Sequence, residues 1–330
     1  MRPGLAILLA GLIGFCGAWA GATQATAAER GTTEEVLRIG LPLQPDIAIV
    51  LVALKQGYFA DQGLRIAVTE YPSGKIALME GLFAGKEDLV TAPDVLIALS
   101  GFDRNDFKII ATIYAVDNHN RVIARKDRGI STPRDLRGKR IATQSASAVH
   151  FFLSLFLANH GIADHEVEIT FAAPHRLPEI LSSGAVDAIS MREPIISQAK
   201  VLLGGNAVVF DAPGLYDQTV QVVVSDAFLD KRPDAVVKIL RALIRAEEYV
   251  QADSAAAKRI VAERLGIAPA QVAAVWPRRP PRVSLDQSLL SRLEAQARWA
   301  IRNKLVNTPT VPNYLNVIYL RGLDAVKPRA

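Results

Sequence analysis

Stretches typical of β-strands alternate with stretches typical of α-helices along the first two thirds of this chain. The stretch "LRIAVTEY" (64–71) alternates apolar and polar side chains, as a half-buried strand does. Before it, "IAIVLVALKQG" (47–57) is almost continuously apolar and ends at a glycine, which favours a helix packed on a sheet, and Asp46 is expected to cap it. This order predicts an α/β fold with a mostly parallel sheet, because parallel strands need a crossover helix between them.

Two interruptions divide the alternation. The first is the polar stretch "DNHN" (117–120), and the second lies near residue 216. Between them, a second strand–helix series runs from "RVIARKD" (121–127) to "AVVFD" (207–211), and from Pro233 onward helical patterns predominate. The chain without its first 27 residues has about 300, more than one hydrophobic core comfortably fills, so we expect two lobes.

The first 27 residues have the composition of a secretory signal peptide. Arg2 supplies a positive charge, "LAILLAGLIGFCGAWA" (5–20) is a short apolar segment, and "ATA" (25–27) is a small-residue cleavage site before Ala28. The apolar segment is shorter than the roughly 20 residues of a membrane span, although a retained N-terminal anchor is the alternative. We expect cleavage near Ala27 and a soluble periplasmic protein.

Composition excludes several classes of function. Cys16, the one cysteine, lies in the predicted leader, which leaves no disulfide, thiolate metal site or cysteine nucleophile. Removing Arg2 lowers the net charge of +5 by one, and the densest basic stretch, "WPRRPPR" (276–282), is broken by prolines and is interpreted as a solvated loop. The five histidines have no metal-ligand spacing, and no G-x-S-x-G or H-E-x-x-H motif occurs. We predict no nucleic-acid binding, no metal or other cofactor, no catalytic residue and no enzymatic activity.

Four blocks of sequence resemble a known family. They are "ALKQGYFADQGLRIAV" (53–68), "GISTPRDLRGKRIA" (129–142), "GAVDAISMREPII" (184–196) and a C-terminal "YL…L-x-x-VKP". In this order they are similar to the solute-binding proteins of ATP-driven importers of the nitrate, sulfonate and taurine type, which also include binders of thiamine-precursor pyrimidines. Each block alone is a weak signal, whereas the four together cover nearly the whole chain after the leader.

The resemblance implies a type II periplasmic binding fold, in which two α/β lobes are joined by two crossover segments. It implies that residues 28–117 and 221–330 form lobe 1, with a helical C-terminal region, and that residues 118–220 form lobe 2. The aromatic turn at Tyr58 and Phe59 is then expected to pack into the bottom of lobe 1.

The same resemblance implies a monomer that captures a small polar solute by closing two lobes around it. The solute would be a sulfonate, nitrate or taurine-like anion, or a related organic acid, delivered to an inner-membrane ABC permease and its ATPase. A pyrimidine-precursor binding protein, or an enzyme of the same fold, is the alternative, because a fold does not fix a function. A binding protein that signals to a membrane sensor also stays open.

Candidate ligand-binding residues follow from the fold. Ligands of open α/β sheets bind beyond the carboxyl ends of the strands, where helix N-termini offer free N–H groups, and we expect these loops to converge on one cleft. The candidates in the loops are Gln44, Ser73, Gly74, Thr91, Asp94, Gln144, Ser145, Ser147, Arg192 and Glu193. The crossover segments add Asn118 and Tyr216. Helix capping is the structural alternative for the serines and for Asp94.

Arg192 is the sharpest candidate. It directly follows the predicted strand "VDAIS" (186–190) and precedes Glu193 and Pro194, where the next helix begins. The related proteins often have an aromatic residue just before this "EP", whereas this chain has Met191 and Arg192. The departure favours a charged or polar contact with the ligand, and a guanidinium binds oxyanions through two parallel hydrogen bonds.

Overall fold

The computed structural model describes residues 36–327, so the predicted signal peptide (1–27) lies outside the described residues. These residues form two five-stranded sheets that carry helices on their faces. The strands are β1 (Leu37–Pro42), β2 (Ile66–Tyr71), β3 (Leu89–Pro93), β4 (Phe107–Val116), β5 (Arg121–Arg125), β6 (Arg140–Thr143), β7 (Glu168–Phe171), β8 (Ala188–Met191), β9 (Ala207–Asp211) and β10 (Gln218–Ser225). The α-helices are α1 (Ala48–Lys55), α2 (Gly74–Ile76), α3 (Asp94–Ser100), α4 (Ala148–Asn159), α5 (Leu177–Ser182), α6 (Ile195–Leu203), α7 (Asp226–Lys231), α8 (Pro233–Ala252), α9 (Ser254–Leu265), α10 (Pro269–Ala274), α11 (Ser288–Arg302) and α12 (Leu320–Asp324).

Each sheet contains three parallel strands and two antiparallel pairings. The first sheet has the order β2-β1-β3-β10-β4, and the second has the order β7-β6-β8-β5-β9. The sheets are less parallel than predicted because of where the chain crosses between them. β4 leaves the first sheet at Val116, and β10 re-enters beside it at Gln218, so β10 runs antiparallel to β4 and also to β3. In the second sheet, β5 follows directly on the first crossover, and it runs antiparallel to both β8 and β9.

The apolar helix α1 packs on the first sheet. Its first six residues are buried, because α8 and α9 cover the face that the sheet leaves free. The chain then turns at Gly63, which has a positive φ of 69°, and re-enters the sheet as β2. Phe59 is buried as predicted, while Tyr58 is half-buried beneath the guanidinium of Arg245. Along residues 36–327, no helix combines the length and apolarity needed to cross a membrane.

The first strand extends further than predicted. Because proline cannot donate to a strand pairing, the prolines of "PLQP" (42–45) predict that the first strand ends at Gly40. Instead β1 continues to Pro42, which pairs with Tyr71 of β2. β3 pairs with β1 only at Ile39 and Gly40, so the missing N–H of Pro42 leaves no partner in β3 unsatisfied.

The basic stretch "WPRRPPR" is tied to both crossover segments. Arg278 pairs with Asp117 of the first crossover, and Arg279 pairs with Asp217 of the second at 2.7 Å. The two arginine side chains are exposed, as predicted for a loop. Their carboxylate partners nevertheless fix this loop against the two segments that join the sheets.

One tryptophan bridges helices that belong to different sheets. The indole Nε1 of Trp299, in α11, donates to Ser154 Oγ in α4 at 3.0 Å. Its ring makes edge-to-face contacts with His150 and Phe151 of α4, at centroid distances of 5.0 and 5.2 Å. α4 follows β6 of the second sheet, whereas α11 packs against α3, which follows β3 of the first. The apolar core therefore continues from one sheet to the other.

Candidate functional site

Ten of the twelve candidate residues lie at or just beyond the carboxyl ends of parallel strands. Gln44 follows β1, Ser73 and Gly74 follow β2, and Thr91 and Asp94 lie at the end of β3. In the second sheet, the candidates after β6 are Gln144, Ser145 and Ser147, and those after β8 are Arg192 and Glu193. Asn118 and Tyr216 lie in the two crossover segments.

Asp94 and Tyr216 are brought together. Asp94 is fully buried, and its Oδ1 accepts from the Tyr216 hydroxyl at 2.6 Å. Its Oδ2 accepts from the backbone N–H and the hydroxyl of Thr219, at 3.2 and 3.0 Å. Burial raises the pKa of Asp94, while the Tyr216 bond and the charge of Arg292 oppose this rise. Because both oxygens are occupied, this carboxylate holds the second crossover against the start of α3.

Tyr216 sits at the centre of a larger network. Burial, together with the Asp94 charge, holds the pKa of the Tyr216 phenol well above its ordinary value, so the hydroxyl stays protonated. Its oxygen accepts from Gln296 Nε2 of α11 at 3.3 Å, and its ring packs edge-to-face on Phe151 of α4 at 5.1 Å. Tyr216 thus connects Asp94 at the end of the first sheet with the helix that follows β6 of the second.

Arg192 is half-buried, and its guanidinium makes no hydrogen bond or ion pair with any residue in the described range 36–327. Desolvation lowers the pKa of Arg192, while the charge of Asp46 acts against this effect. The neighbouring Glu193 differs, since it accepts from Arg121 Nη1 at 3.1 Å and from the backbone N–H of Ser197 at 3.0 Å. Arg192 is therefore the cation at the carboxyl end of β8 that has its donors available.

Asp46 does not cap α1, so that prediction was wrong. Pro45 starts a short 3-10 turn over Pro45–Ile47, and α1 begins only at Ala48 with Ile47 as its N-cap residue. The Asp46 side chain is buried, and its Oδ1 has no hydrogen-bond partner. Burial raises the pKa of Asp46 to about 6, against the opposing charge of Arg192. Asp46 lies in the same loop as the candidate Gln44, although the sequence predicted it only as a helix cap.

Other buried polar atoms of this region also lack partners. They are Thr91 Oγ1, His119 Nδ1, Asn120 Oδ1, Arg292 Nε and Gln296 Oε1. Burial, with the charges of Arg192 and Arg121, lowers the pKa of His119 to about 3, so this imidazole is neutral. A buried polar atom without a partner costs about 1–3 kcal/mol, so several in one region mark a place where solvent or a ligand supplies the missing bonds. Of these residues, only Thr91 is among the candidates predicted from the sequence.

The two candidate serines in the loop before α4 differ in their hydrogen bonds. Ser147 caps α4, because its Oγ accepts from the backbone N–H of His150 at 3.4 Å and donates to the Gln144 carbonyl at 2.6 Å. Ser145 is exposed, and no hydrogen bond of its hydroxyl is recorded among residues 36–327. Ser73 likewise caps α2, with its Oγ accepting from the Ile76 N–H at 3.3 Å. The capping alternative therefore accounts for Ser147 and Ser73 and leaves Ser145 available.

Gly74 allows two loops of the site to approach each other. A Cβ at this position would lie 2.9 Å from Pro93 Cδ and 3.3 Å from the carbonyl oxygen of Thr91. Three further candidates, Gln44, Asn118 and Gln144, are half-buried, and the described residues 36–327 offer their side chains no hydrogen bond. These amides can serve a polar ligand as donors or acceptors.

Two other features carry no site chemistry. Within residues 36–327, no group of three or more His, Cys, Asp or Glu side chains could hold a metal ion. A cavity of about 690 Å³ borders Tyr114, Thr219 and Arg292. Its arginines pair with Asp217 and Asp286, whereas no residue in the range 36–327 pairs with the Arg192 guanidinium.

The chain is similar to a described family and to proteins that are named as binding proteins. The family described as NMT1/THI5 like matches residues 44–257. A protein of Bacillus subtilis (strain 168), provisionally named an aliphatic sulfonates-binding protein, is 28% identical over 256 residues, which cover 74% of this chain and 73% of that protein. The taurine-binding periplasmic protein of Escherichia coli (strain K12) is 26% identical over 203 residues, which cover 60% of this chain and 61% of that protein.

A solved structure identifies the fold. The periplasmic aliphatic sulphonate binding protein SsuA from Escherichia coli superimposes with a TM-score of 0.72 at 20% identity, covering 87% of this chain and 98% of that one. This likeness, with the two sheets and their crossovers, confirms the predicted type II periplasmic binding protein fold. Because the family match covers more than half of its length, the chain belongs to the NMT1/THI5-like family.

Proposed function

We propose that this protein is the substrate-binding component of an ABC-type import system and that it captures a small oxyanion, a sulfonate or a related organic acid. The observation that carries the proposal is the guanidinium of Arg192, which is desolvated and unpaired at the carboxyl end of β8. The names of the relatives support it, since they include binders of aliphatic sulfonates and of taurine.

The chemistry of the site fits a sulfonate or a carboxylate. The guanidinium fork offers two parallel N–H donors to two oxygens of such a group, and a charge-assisted hydrogen bond contributes about 1.5–3 kcal/mol. The hydroxyls of Thr91 and Ser145 and the amides of Gln44, Asn118 and Gln144 are further candidates for the remaining oxygens. The carboxylate of Glu193 does not compete for Arg192, because Arg121 and Ser197 already engage it.

The same proposal includes the two lobes, the transport partners and the export of the protein. Residues 28–117 with 221–330 form lobe 1, residues 118–220 form lobe 2, and the lobes close around the ligand by a hinge at the two crossovers. The protein acts as a monomer and delivers its ligand to an inner-membrane permease and its ATPase. A signal peptide ending near Ala27 exports it, which the periplasmic relatives support. It has no catalytic role, in keeping with relatives that are named as binding proteins.

Calorimetric titration of the purified protein with alkanesulfonates and short carboxylates tests the proposal. We expect Arg192→Ala to weaken binding about 10- to 100-fold, which is the loss of one charge-assisted contact. Arg192→Lys should restore the affinity only in part, because an ammonium lacks the planar fork.

Arg134→Ala is the matched control. Arg134 is an exposed arginine that precedes β6, whereas Arg192 follows the carboxyl end of β8. Replacing Arg134 should therefore leave the affinity unchanged. If Arg192→Ala binds every accepted ligand as tightly as the parent does, the oxyanion proposal fails. A neutral or cationic solute would then be the better reading.

A further inference from the structure

Two arginines of the second sheet lie near the imidazole of His119 but differ in their partners. After burial, the charges of Arg192 and Arg121 lower the pKa of this imidazole, so both guanidinium groups lie in one region of the site. Arg121 pairs with two carboxylates, since its Nε donates to Asp211 Oδ1 at 2.6 Å and its Nη1 donates to Glu193 Oε1 at 3.1 Å. Arg192 pairs with no carboxylate among residues 36–327. The carboxylates at this end of the second sheet are therefore divided unequally between two neighbouring cations.

The register of the second sheet places Arg121 between these two carboxylates. Arg121 is the first residue of β5, where it lies opposite Met191 of β8 on one side and Asp211 of β9 on the other. Met191 is the last residue of β8, and Arg192 and Glu193 follow it directly. The Arg121 guanidinium therefore reaches the Asp211 carboxylate on one neighbouring strand and the Glu193 carboxylate just beyond the end of the other.

Glu193 would compete with a bound oxyanion if Arg121 did not hold it. Glu193 is the residue next to Arg192, and its carboxylate offers a guanidinium the same paired oxygens as a carboxylate or sulfonate ligand. Its second oxygen accepts from the backbone N–H of Ser197 at 3.0 Å, so Arg121 supplies its side-chain cation. The side chains of Arg121 and Glu193 are 30% and 26% exposed, so removing the Arg121 charge would leave Glu193 hydrated and able to turn to Arg192.

We propose that Arg121 is a positioning residue for the anion site, because it withdraws the Glu193 carboxylate from Arg192 and so keeps the Arg192 guanidinium available to the ligand. Arg121 acts through Glu193 and not by touching the ligand. The bond to Asp211 holds the Arg121 side chain in place on the other side. This inference rests on the proposed function and adds to it the group that keeps its central cation from pairing within the protein.

Calorimetric titration with ethanesulfonate and, in parallel, with propionate tests the inference. Arg121→Met should weaken binding about three- to tenfold, because the released Glu193 then competes for Arg192. Arg121→Lys keeps a positive charge beside Glu193 and should retain most of the affinity. Arg298→Met removes an exposed arginine that pairs with Glu294 in α11, and it should leave the affinity unchanged. Urea-induced unfolding checks that each variant is folded, and the uncharged Arg121→Gln replaces Arg121→Met if that variant is not.

A second substitution in the Arg121→Met background separates competition from a simple loss of charge. Adding Glu193→Gln should restore most of the lost affinity, because an amide oxygen still accepts from the Ser197 N–H but no longer competes as an anion for Arg192. Adding Asp211→Asn is the matched control. It removes the same charge from the other partner of Arg121, on β9, and should restore little.

The outcomes separate this inference from the function on which it rests. If Arg121→Met binds as tightly as the parent, or if Glu193→Gln restores nothing, the positioning role is overturned and oxyanion binding stands. Equal restoration by Glu193→Gln and Asp211→Asn also overturns it, because net charge then accounts for the loss. If the parent binds neither ethanesulfonate nor propionate, the proposed function fails, and the positioning role fails with it.

Discussion

Replacing Asp46 by asparagine should stabilise the unliganded protein near neutral pH. In the folded state, burial raises the pKa of this carboxyl from its ordinary value of 3.8 to about 6. An acid with a raised folded pKa stabilises the fold only while it is protonated, so its contribution is lost as pH rises from about 4 to about 6. A shift of roughly two pKa units corresponds to about 3 kcal/mol, which we take as the upper limit for the gain in free energy of unfolding.

The measurement is urea-induced unfolding of the parent and of Asp46→Asn, without ligand, at intervals between about pH 4 and pH 8. The difference in free energy of unfolding should be near zero at about pH 4, grow through pH 5 and level off above about pH 6. An asparagine side chain has nearly the same size as aspartate, so packing changes little. Equal stability of the two proteins across the range, or a lower stability of the variant at pH 7, would refute the reasoning.

Two buried histidines also make the stability depend on pH. The difference in free energy of unfolding between the parent and Asp46→Asn is therefore more informative than the pH profile of either protein alone. Burial lowers the pKa of His119 to about 3 and that of His150 to about 4. Each imidazole is held neutral in the fold, so stability falls as pH drops below about 6.5 and the unfolded chain takes up protons. Both proteins share this loss, and subtraction isolates the contribution of Asp46. The comparison also tests the site, because a carboxylate retained at such a cost points to selection for binding.

Two further substitutions separate structural roles from binding roles. Ser147→Ala should lower the free energy of unfolding, measured by urea titration, by about 1 kcal/mol through loss of the α4 cap. Ser145→Ala should leave this free energy unchanged and weaken ligand binding, measured by calorimetry. If Ser145 were the cap, Ser145→Ala would lower the free energy of unfolding and Ser147→Ala would not. Tyr216→Phe should cost about 1–3 kcal/mol of stability, because Asp94 Oδ1 and Gln296 lose a partner, and an unchanged unfolding midpoint would mean that solvent replaces the hydroxyl.

Local patterns in the sequence predicted those parts of the fold that depend on local periodicity. The strand–helix order, the burial of Phe59 and the location of the candidates at the carboxyl ends of strands all follow from the spacing of apolar residues and from turn residues. The end of β1 at Pro42 did not, because it depends on where β3 separates from β1. A local pattern carries no information about such a distant neighbour.

The hydrogen bonds of the candidate residues could be predicted from the sequence only in small part. Arg192 stood out because its strand and the following proline are visible in the sequence, but its unpaired state is a property of the folded chain. The bond between Asp94 and Tyr216 joins residues 122 positions apart, and Gln296 reaches Tyr216 from a helix 80 positions further on. Asp46 has the spacing of a helix cap, but Pro45 starts a 3-10 turn and α1 begins only at Ala48, so Asp46 does not cap the helix.

The position of Trp299 gives the protein an intrinsic optical probe. The emission of an indole shifts with the polarity around it. Trp299 is buried between α11 and α4, with His150 against its ring and Ser154 on its nitrogen. Trp276, the other tryptophan among residues 36–327, lies elsewhere, on the loop after α10 beneath Lys258. In a protein without the predicted leader and its Trp19, Trp276→Phe would therefore leave a single emitter whose colour and intensity follow the separation of the two sheets, without any attached dye.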